Sequence, residues 1–141
     1  MKNPGAWITT LAPLVALVWM IAGALGLHRQ WDGARIIGFA VGAVFLSLVF
    51  LARLQLGDSF SIAPEARKLV TTGLYSKVRH PVYVFGTLAI LGIALYAHLW
   101  PLLPVVLIVI PIQVVRARAE ERVLIDKFGE EYLRYKSRTW F

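Results

Sequence analysis

Residues 69–83, LVTTGLYSKVRHPVY, end in a cationic cluster that stands directly before an apolar segment. Arg79, His80 and Pro81 form this boundary. A cationic group at the edge of hydrocarbon interacts with lipid headgroups or with an anionic ligand. Pro81 suits the first turn of a helix, and the free N–H groups of that turn favour an anion such as a carboxylate. The cluster therefore indicates a boundary site for a charged ligand.

A second polar group follows the next apolar run and contains Arg116, Glu120 and Glu121. If the two apolar runs form a helical hairpin, both polar groups lie at the same depth. The two carboxylates can bind an ammonium group. Tyr75 and Tyr83, from the first group, offer aromatic faces to a cation or a planar ring. Carboxylate, ammonium, cation and purine occur together in S-adenosylmethionine, so this cofactor fits the combined site.

Each of these residues also has a purely structural explanation. Arg79 can be a cation that faces lipid, His80 can cap a helix, and the tyrosines can belong to an interfacial aromatic belt. Arg116 and Glu120 are four residues apart on one predicted helix, so an intrahelical ion pair explains both. Taken singly, the structural explanations are favoured.

The elements that would position these residues are four apolar runs, at residues 7–27, 36–52, 82–97 and 99–115. Each can span or nearly span about 30 Å of hydrocarbon as a helix. The whole chain is 58% hydrophobic and 16% charged, which is too apolar for an ordinary soluble domain. The sequence predicts an all-α, polytopic integral membrane protein with four transmembrane helices and an interfacial, cytoplasmic C-terminal helix.

The distribution of basic residues predicts the topology of this single domain, residues 1–141. Five Lys and Arg residues lie at 53–79 and seven follow position 115, against two in the first loop and none in the second hairpin. By the positive-inside rule both termini, the loop 53–81 and the C-terminal segment 116–141 face the cytoplasm. The helices 1–52 and the hairpin 82–115 then carry the membrane part. The net charge of +7 is explained in this way, without nucleic acid as a partner.

Several classes of protein are disfavoured by what the chain lacks. Without cysteine it has no disulfide, no thiolate chemistry and no zinc site built on sulfur, and no metal site is predicted. None of the four runs carries Asp, Glu, Lys or Arg in its interior, whereas a small proton-coupled exporter needs a carboxylate within the membrane. The small-xxx-small spacing GFAVG at 38–42 favours close helix packing inside the monomer over a dimer face.

The segments LVTTGLYSKVRHPVY and RARAEERVLIDKFGEEYLRYK, separated by a short hairpin, resemble the isoprenylcysteine carboxyl methyltransferase family and its phospholipid methyltransferase relatives. The resemblance extends from about residue 67 to the C-terminus. The combination of R-H-P-x-Y, the hairpin, E-E and F-G-x-x-Y makes it specific. It implies an integral membrane enzyme that binds S-adenosylmethionine at the cytoplasmic end of the hairpin, under the C-terminal segment.

The resemblance also implies roles for individual residues. The cofactor pocket is expected to contain Leu69, Val70, Tyr75, His80, Pro81, Tyr83, Glu120 and the second carboxylate Glu121, and Arg116 is expected to contact the substrate. The substrate would be a lipophilic molecule that enters from the bilayer, with carboxyl O-methylation of an isoprenylcysteine-like group as the leading reaction. N-methylation of a phospholipid amine is the alternative within the same core. A non-catalytic module whose basic tail binds anionic lipid is the alternative from another class.

Overall fold

The computed structural model describes residues 4–26, 30–56 and 69–141. Within these ranges the protein is helical and contains no strand. The helices are α1 (Pro4–Gly26), α2 (Gly33–Leu56), α3 (Pro81–Tyr96), α4 (Leu102–Phe128) and α5 (Glu130–Lys136), and a 3₁₀ turn, Gly73–Ser76, precedes α3. Residues 57–68 of the predicted loop 53–81 lie outside the described residues. The all-α prediction is confirmed for the part of the chain that is described.

Within the described ranges two helices, α2 and α4, are long and apolar enough to cross a membrane. The other two apolar stretches, Thr10–Leu25 in α1 and Pro81–Tyr96 in α3, are shorter. At 1.5 Å per residue, the 16 residues of α3 extend about 24 Å, less than the roughly 30 Å of a hydrocarbon core. The structure therefore supports a membrane protein, with two of the four predicted spans meeting the length criterion.

Helices α2 and α3 pack in close contact because glycines line their crossing point. A Cβ atom added at Gly38 would collide with Tyr96 N and lie 2.8 Å from the carbonyl oxygen of Gly92. A Cβ atom added at Gly92 would collide with Gly42 N and lie 2.6 Å from Gly42 Cα. The predicted close packing of the GFAVG segment inside the monomer is confirmed.

The apolar core joins α1, α2 and α3 around Tyr96. Met20, Leu46, Ala89 and Tyr96 form the buried cluster, and the Tyr96 hydroxyl donates to the Met20 carbonyl at 3.0 Å. Helix α4 is more exposed, with Val106 and Ala117 as its buried residues. It thus lies beside the three-helix core and does not form part of that core.

Helix α4 is longer than the apolar run predicted for it. It begins at Leu102 and continues through Arg116 to Phe128, so the apolar segment and the first half of the polar C-terminal segment form one helix. Gly129, with a φ of +50°, ends α4 and precedes α5. The C-terminal helix expected after residue 115 is thus continuous with the apolar segment, because no glycine or proline lies between Arg116 and Phe128.

The turn between α3 and α4 is held against the start of α2 by a buried arginine. Arg35 donates to the carbonyl oxygen of Tyr96 at 3.3 Å, and its Nη2 lies 3.0 Å from His98 Nδ1. Because a guanidinium only donates, Nδ1 of His98 accepts, and its Nε2 carries the proton that is donated to Asp32 Oδ2 at 2.9 Å. This network fixes the hairpin at the end opposite the candidate site.

Candidate functional site

The C-terminal segment binds along the residues that precede α3. Trp140 N donates to the carbonyl of Lys77 at 2.8 Å, and Arg79 N lies 2.9 Å from the carbonyl oxygens of Trp140 and Phe141. His80 N donates to the carbonyl of Phe141 at 3.1 Å. The last residues of the chain therefore cover the start of α3, which agrees with the placement that the family resemblance implied.

The side chain of Arg79 connects this segment to α4. Its Nε donates to Glu121 Oε1 at 2.9 Å, and its Nη1 donates to the carbonyls of Lys136 and Thr139 at 3.1 and 2.7 Å. Lys136 Nζ binds the other carboxylate oxygen of Glu121 at 2.7 Å. The Arg79 and Glu121 side chains are each only 14% exposed. Arg79 is thus a structural cation inside the protein, and the alternative that it faces lipid is wrong.

Glu120 occupies a different environment from its neighbour. It accepts a short hydrogen bond from the Tyr83 hydroxyl, and its Oε2 lies 3.7 Å from His80 Nδ1. Its side chain is 35% exposed. Glu120 therefore presents an accessible carboxylate that can accept further hydrogen bonds from a ligand.

His80 is buried between the two carboxylates and hydrogen-bonds to neither through its ring. Its Nε2 lies 3.7 Å from Glu121 Oε1, which is too long for a hydrogen bond, and this buried atom has no hydrogen-bond partner among the described residues. The ring stacks on Tyr83 with centroids 5.7 Å apart. Burial lowers the pKa of His80, so the imidazole is neutral at neutral pH. A buried polar atom without a partner fits a site that a polar ligand group completes.

The remaining pocket residues precede α3 or begin it. Tyr75 is buried in the 3₁₀ turn, where burial raises the pKa of its hydroxyl, and its carbonyl accepts from Tyr135 Oη at 2.6 Å. Leu69 and Val70 are half-buried ahead of that turn. Pro81 is fully buried at the first position of α3. These four residues lie ahead of α3 or at its first position, on the chain segment that leads into His80 and Tyr83.

The first turn of α3 has fewer free N–H groups for binding an anion than the sequence indicated. Pro81 has no N–H, and the N–H of Tyr83 already donates to the His80 carbonyl at 3.1 Å. Arg116 is exposed on α4, one helical turn before Glu120, and interacts electrostatically with both Glu120 and Tyr83. The structure thus brings Tyr83, His80 and Glu120 into one site, with Arg116 at its edge.

Sequence reasoning missed three polar residues near this site. Arg53, half-buried near the end of α2, interacts electrostatically with Tyr75 and Tyr83. Thr87 Oγ1 lies 3.1 Å from Gln113 Oε1, which links α3 to α4 below Tyr83. Gln113 carries the one amide side chain in the run 99–115, and that isolation among apolar residues was the available signal. In the described part of the chain, no group of three or more His, Asp or Glu residues is arranged to hold a metal ion.

Comparisons with known proteins assign the chain to a family. A sequence profile described as phospholipid methyltransferase matches residues 29–131. The match covers well over half of the chain, and the chain belongs to the phospholipid methyltransferase family. The resemblance drawn from the RHPVY and EERVLIDKFGEEY segments is confirmed.

Two curated relatives are named as metal resistance proteins. The cobalt-zinc-cadmium resistance protein CzcN of Cupriavidus metallidurans is 30% identical over 128 residues, which are 89% of this chain and 58% of the relative. The nickel-cobalt-cadmium resistance protein NccN of Alcaligenes xylosoxydans xylosoxydans is 33% identical over 91 residues, which are 63% of this chain and 39% of the relative. The chain thus spans less than two thirds of the length of either relative. No solved structure matches the chain significantly.

Proposed function

We propose that the protein is an S-adenosylmethionine-dependent methyltransferase that acts on a lipophilic acceptor in the membrane. The observation that carries this proposal is the accessible carboxylate of Glu120, held by the Tyr83 hydroxyl beside a buried His80 whose Nε2 has no hydrogen-bond partner among the described residues. Membership of the phospholipid methyltransferase family supports the reaction class.

The residues present fit the cofactor in charge and in hydrogen-bonding capacity. Glu120 would bind its ammonium group, and His80 Nε2 would hydrogen-bond to its carboxylate or ribose. Leu69, Val70, Tyr75, Pro81 and Tyr83 would line the rest of the pocket. S-adenosylmethionine, when bound, supplies an activated methyl group. We assign Glu121 to holding the C-terminal segment, because Arg79 and Lys136 already occupy both of its oxygens.

The residues of this chain would act chiefly by alignment and by exclusion of water. The segment 137–141 lies over the start of α3, and Phe141 packs its ring 5.7 Å from that of His80. A site closed in this way limits hydrolysis and holds the reactants in contact, which is the main source of rate acceleration in a displacement that neutralises charge. A carboxylate acceptor needs no general base, whereas an amine must arrive deprotonated.

Arg116 is proposed to contact the acceptor at the membrane boundary. A guanidinium there can bind an anionic headgroup or carboxylate with two parallel hydrogen bonds while the lipophilic chain stays in the bilayer. Arg116→Lys keeps the charge and loses that geometry. We expect it to raise the KM for the acceptor and to leave the affinity for S-adenosylhomocysteine unchanged. Full activity in both Arg116→Lys and Arg116→Ala would contradict this role.

The proposed topology has four membrane-spanning helices, with both termini and the site in the cytoplasm, in contact with membrane lipids. It rests on the five and seven basic residues at 53–79 and after position 115, against two and none in the opposite loops. A Ser137→Cys variant should react with a membrane-impermeant thiol reagent only after the cells are opened. Labelling of intact cells from outside would contradict the orientation.

The acceptor is proposed to be either a carboxyl group of an isoprenylcysteine-like lipid or the amine of a phospholipid. The exposed Arg116 favours the carboxyl group, and the description of the family favours the amine. Membranes that contain the protein can be incubated with cofactor labelled in its methyl group, and the lipids can then be extracted. Mild alkali releases labelled methanol from a methyl ester and leaves an N-methyl group in place.

The same assay tests the proposed function against the non-catalytic, lipid-binding alternative. We expect labelled lipid from the native chain and from Glu131→Gln, which changes an exposed carboxylate of α5. Glu120→Gln should lower labelling at least about tenfold, because a charge-assisted hydrogen bond contributes roughly 1.5–3 kcal/mol. Equal labelling by Glu120→Gln would contradict the site. No labelling by the native chain, together with salt-sensitive attachment of the tail to anionic vesicles, would favour the alternative.

We further propose that the protein contributes to metal resistance, because its two relatives are named as metal resistance proteins. If lipid methylation contributes to such resistance, Glu120→Gln should reduce growth on cobalt, zinc or cadmium salts as much as removal of the protein does. Undiminished growth of the Glu120→Gln strain would separate any resistance from the proposed methyl transfer.

A further inference from the structure

Arg53 lies on the inward face of α2. It follows the buried residues Leu46 and Val49 by seven and four positions, a spacing that places all three on one face of the helix. Its side chain is half-buried, and the Nε atom is buried. A cation near the end of an apolar helix commonly extends to water or to lipid headgroups. Arg53 instead directs part of its guanidinium group into the protein.

The contact between α2 and α3 sets the depth at which Arg53 lies. The two helices run antiparallel and meet at Gly42 and Gly92. Arg53 is eleven residues after Gly42, and Pro81 is eleven residues before Gly92. At 1.5 Å per residue, both positions are about 16 Å from the contact in the same direction. Arg53 is therefore level with the start of α3, which is the level of the candidate site.

The end of α2 also contacts the 3₁₀ turn that precedes α3. Gln55 Oε1 accepts a hydrogen bond from the N–H of Leu74 at 2.8 Å. Tyr75, in the same turn, interacts electrostatically with Arg53, and so does Tyr83 of α3. Arg53 thus reaches the candidate site from the side of α2, without the C-terminal segment.

The Tyr83 hydroxyl interacts with groups of opposite charge from two different helices. It donates to the Glu120 carboxylate of α4, and it interacts electrostatically with the Arg53 guanidinium of α2. An α-amino acid group carries its ammonium and its carboxylate on a single carbon atom. A site that binds such a group therefore needs an anion and a cation close together. Glu120 and Arg53 provide this combination, and S-adenosylmethionine contains an α-amino acid group.

The other cations near the site are already bound or lie at its edge. Arg79 and Lys136 bind the two carboxylate oxygens of Glu121. Arg116 is exposed on α4. Arg53 is half-buried, and a guanidinium in a partly desolvated position binds a carboxylate more strongly than it does in water. Among the described cations, Arg53 therefore fits a bound carboxylate best.

We propose that Arg53 binds the carboxylate of the amino-acid group of S-adenosylmethionine, while Glu120 binds the ammonium of the same group. This inference rests on the methyltransferase function proposed above. The guanidinium can donate to both carboxylate oxygens with two parallel hydrogen bonds. His80 Nε2 is then left for a hydroxyl of the ribose. Arg53 would thereby select cofactors with an intact amino-acid group over nucleosides that lack the carboxylate.

The test compares two ligands that differ by one carboxylate. S-adenosylhomocysteine and its decarboxylated analogue, which keeps the ammonium group, are titrated calorimetrically into the detergent-purified full chain. Arg53→Gln removes the charge, and Arg53→Lys keeps the charge but loses the two parallel donors. Arg122→Gln is the matched control, because Arg122 is an exposed cation two residues after Glu120. The thermal unfolding midpoint is measured for each variant.

We expect the native chain to bind S-adenosylhomocysteine more tightly than the decarboxylated analogue. Arg53→Gln should weaken the binding of S-adenosylhomocysteine about ten- to a hundredfold, the effect of losing a charge-assisted hydrogen bond. It should not lower the affinity for the analogue, which lacks the group that Arg53 would bind. Arg53→Lys should show a smaller loss, again for S-adenosylhomocysteine alone, and Arg122→Gln should bind both ligands as the native chain does.

Equal losses for the two ligands in Arg53→Gln, or no loss for either, overturn the inference and leave the proposed function standing. The same holds if Arg116→Gln, and not Arg53→Gln, loses affinity for S-adenosylhomocysteine alone, because Arg116 then binds the carboxylate. If Arg53→Gln does not fold, the same comparison of the two ligands in Arg53→Lys decides. If the native chain binds neither ligand, the proposed function fails and the inference fails with it.

Discussion

Glu120 and Glu121 are adjacent on α4 but have opposite environments. Glu121 has both carboxylate oxygens bound, one by Arg79 at 2.9 Å and the other by Lys136 at 2.7 Å. Glu120 accepts from the Tyr83 hydroxyl and stays 35% exposed. One carboxylate therefore holds the C-terminal segment in place, and its neighbour remains accessible to a ligand.

Replacement of Arg79 by Ala should strongly destabilise the fold. The variant loses one ion pair and two hydrogen bonds to main-chain carbonyls, and it leaves the largely buried carboxylate of Glu121 with Lys136 alone. Breaking a buried pair by removing one partner costs about 3–5 kcal/mol. Thermal unfolding in detergent should show a midpoint well below that of the native chain.

Lys136→Met provides the comparison for Arg79, because it removes the other cation of the same carboxylate while keeping an apolar side chain. The Lys136 side chain is 41% exposed, so its ion pair should contribute no more than about 1 kcal/mol. A midpoint for Arg79→Ala as high as that for Lys136→Met would contradict the structural role of Arg79.

Stability should fall with acidification in a way that depends on His80. Burial lowers the pKa of this imidazole below its usual 6.5, and the nearby charges of Arg79 and Lys136 lower it further. The Glu121 carboxylate opposes this shift. The unfolded state then binds the proton more readily than the folded state. The free energy of unfolding is therefore undiminished above the pKa of His80 in the unfolded chain. It decreases as the pH falls from about 6.5 toward the lower pKa of His80 in the folded chain.

The pH dependence is measured as the unfolding midpoint of the native chain and of His80→Gln between about pH 7.5 and pH 5.5. The native chain should lose more stability over this range than His80→Gln does. Both chains retain the other histidines, so their contributions cancel in the comparison. Parallel curves would mean that His80 is not held neutral by its burial.

Addition of a single methyl group at Gly92 should disrupt the contact between α2 and α3. Its Cβ atom would meet the main chain of Gly42, which cannot move as the end of a flexible side chain can. Overpacking of this kind costs about 1–3 kcal/mol or more. Gly92→Ala should therefore unfold at a lower temperature than Gly33→Ala, whose Cβ atom meets nothing within 4 Å. Equal midpoints for the two variants would show that the crossing can open without cost.

The sequence predicted the parts of the site that depend on local signals. Apolar runs and Pro81 placed the hairpin, and the hairpin brings the part of α4 that carries Glu120 to the depth of Tyr83. The glycine spacing in α2 predicted the close contact with α3. These features follow from helix periodicity and length, which are visible in a single sequence.

The features that the sequence did not predict depend on tertiary contacts. In the sequence, the position of Arg79 next to an apolar run indicates a positive-inside residue. Its hydrogen bonds to the carbonyls of Lys136 and Thr139 depend on the folded C-terminal segment. The distinction between the two adjacent glutamates was equally hidden, because helix rotation relative to α3 decides which carboxylate Arg79 reaches. The division of roles within an E-E pair cannot be obtained from the pair itself.

The most direct measurement of the central claim is calorimetric titration of S-adenosylhomocysteine into the detergent-purified protein. We expect the native chain and Glu131→Gln to bind this ligand alike, since Glu131 is exposed on α5. Glu120→Gln should bind about ten- to a hundredfold more weakly, the loss expected for one charge-assisted hydrogen bond of roughly 1.5–3 kcal/mol. No binding by the native chain, or an affinity of Glu120→Gln equal to that of the native chain, would contradict this claim.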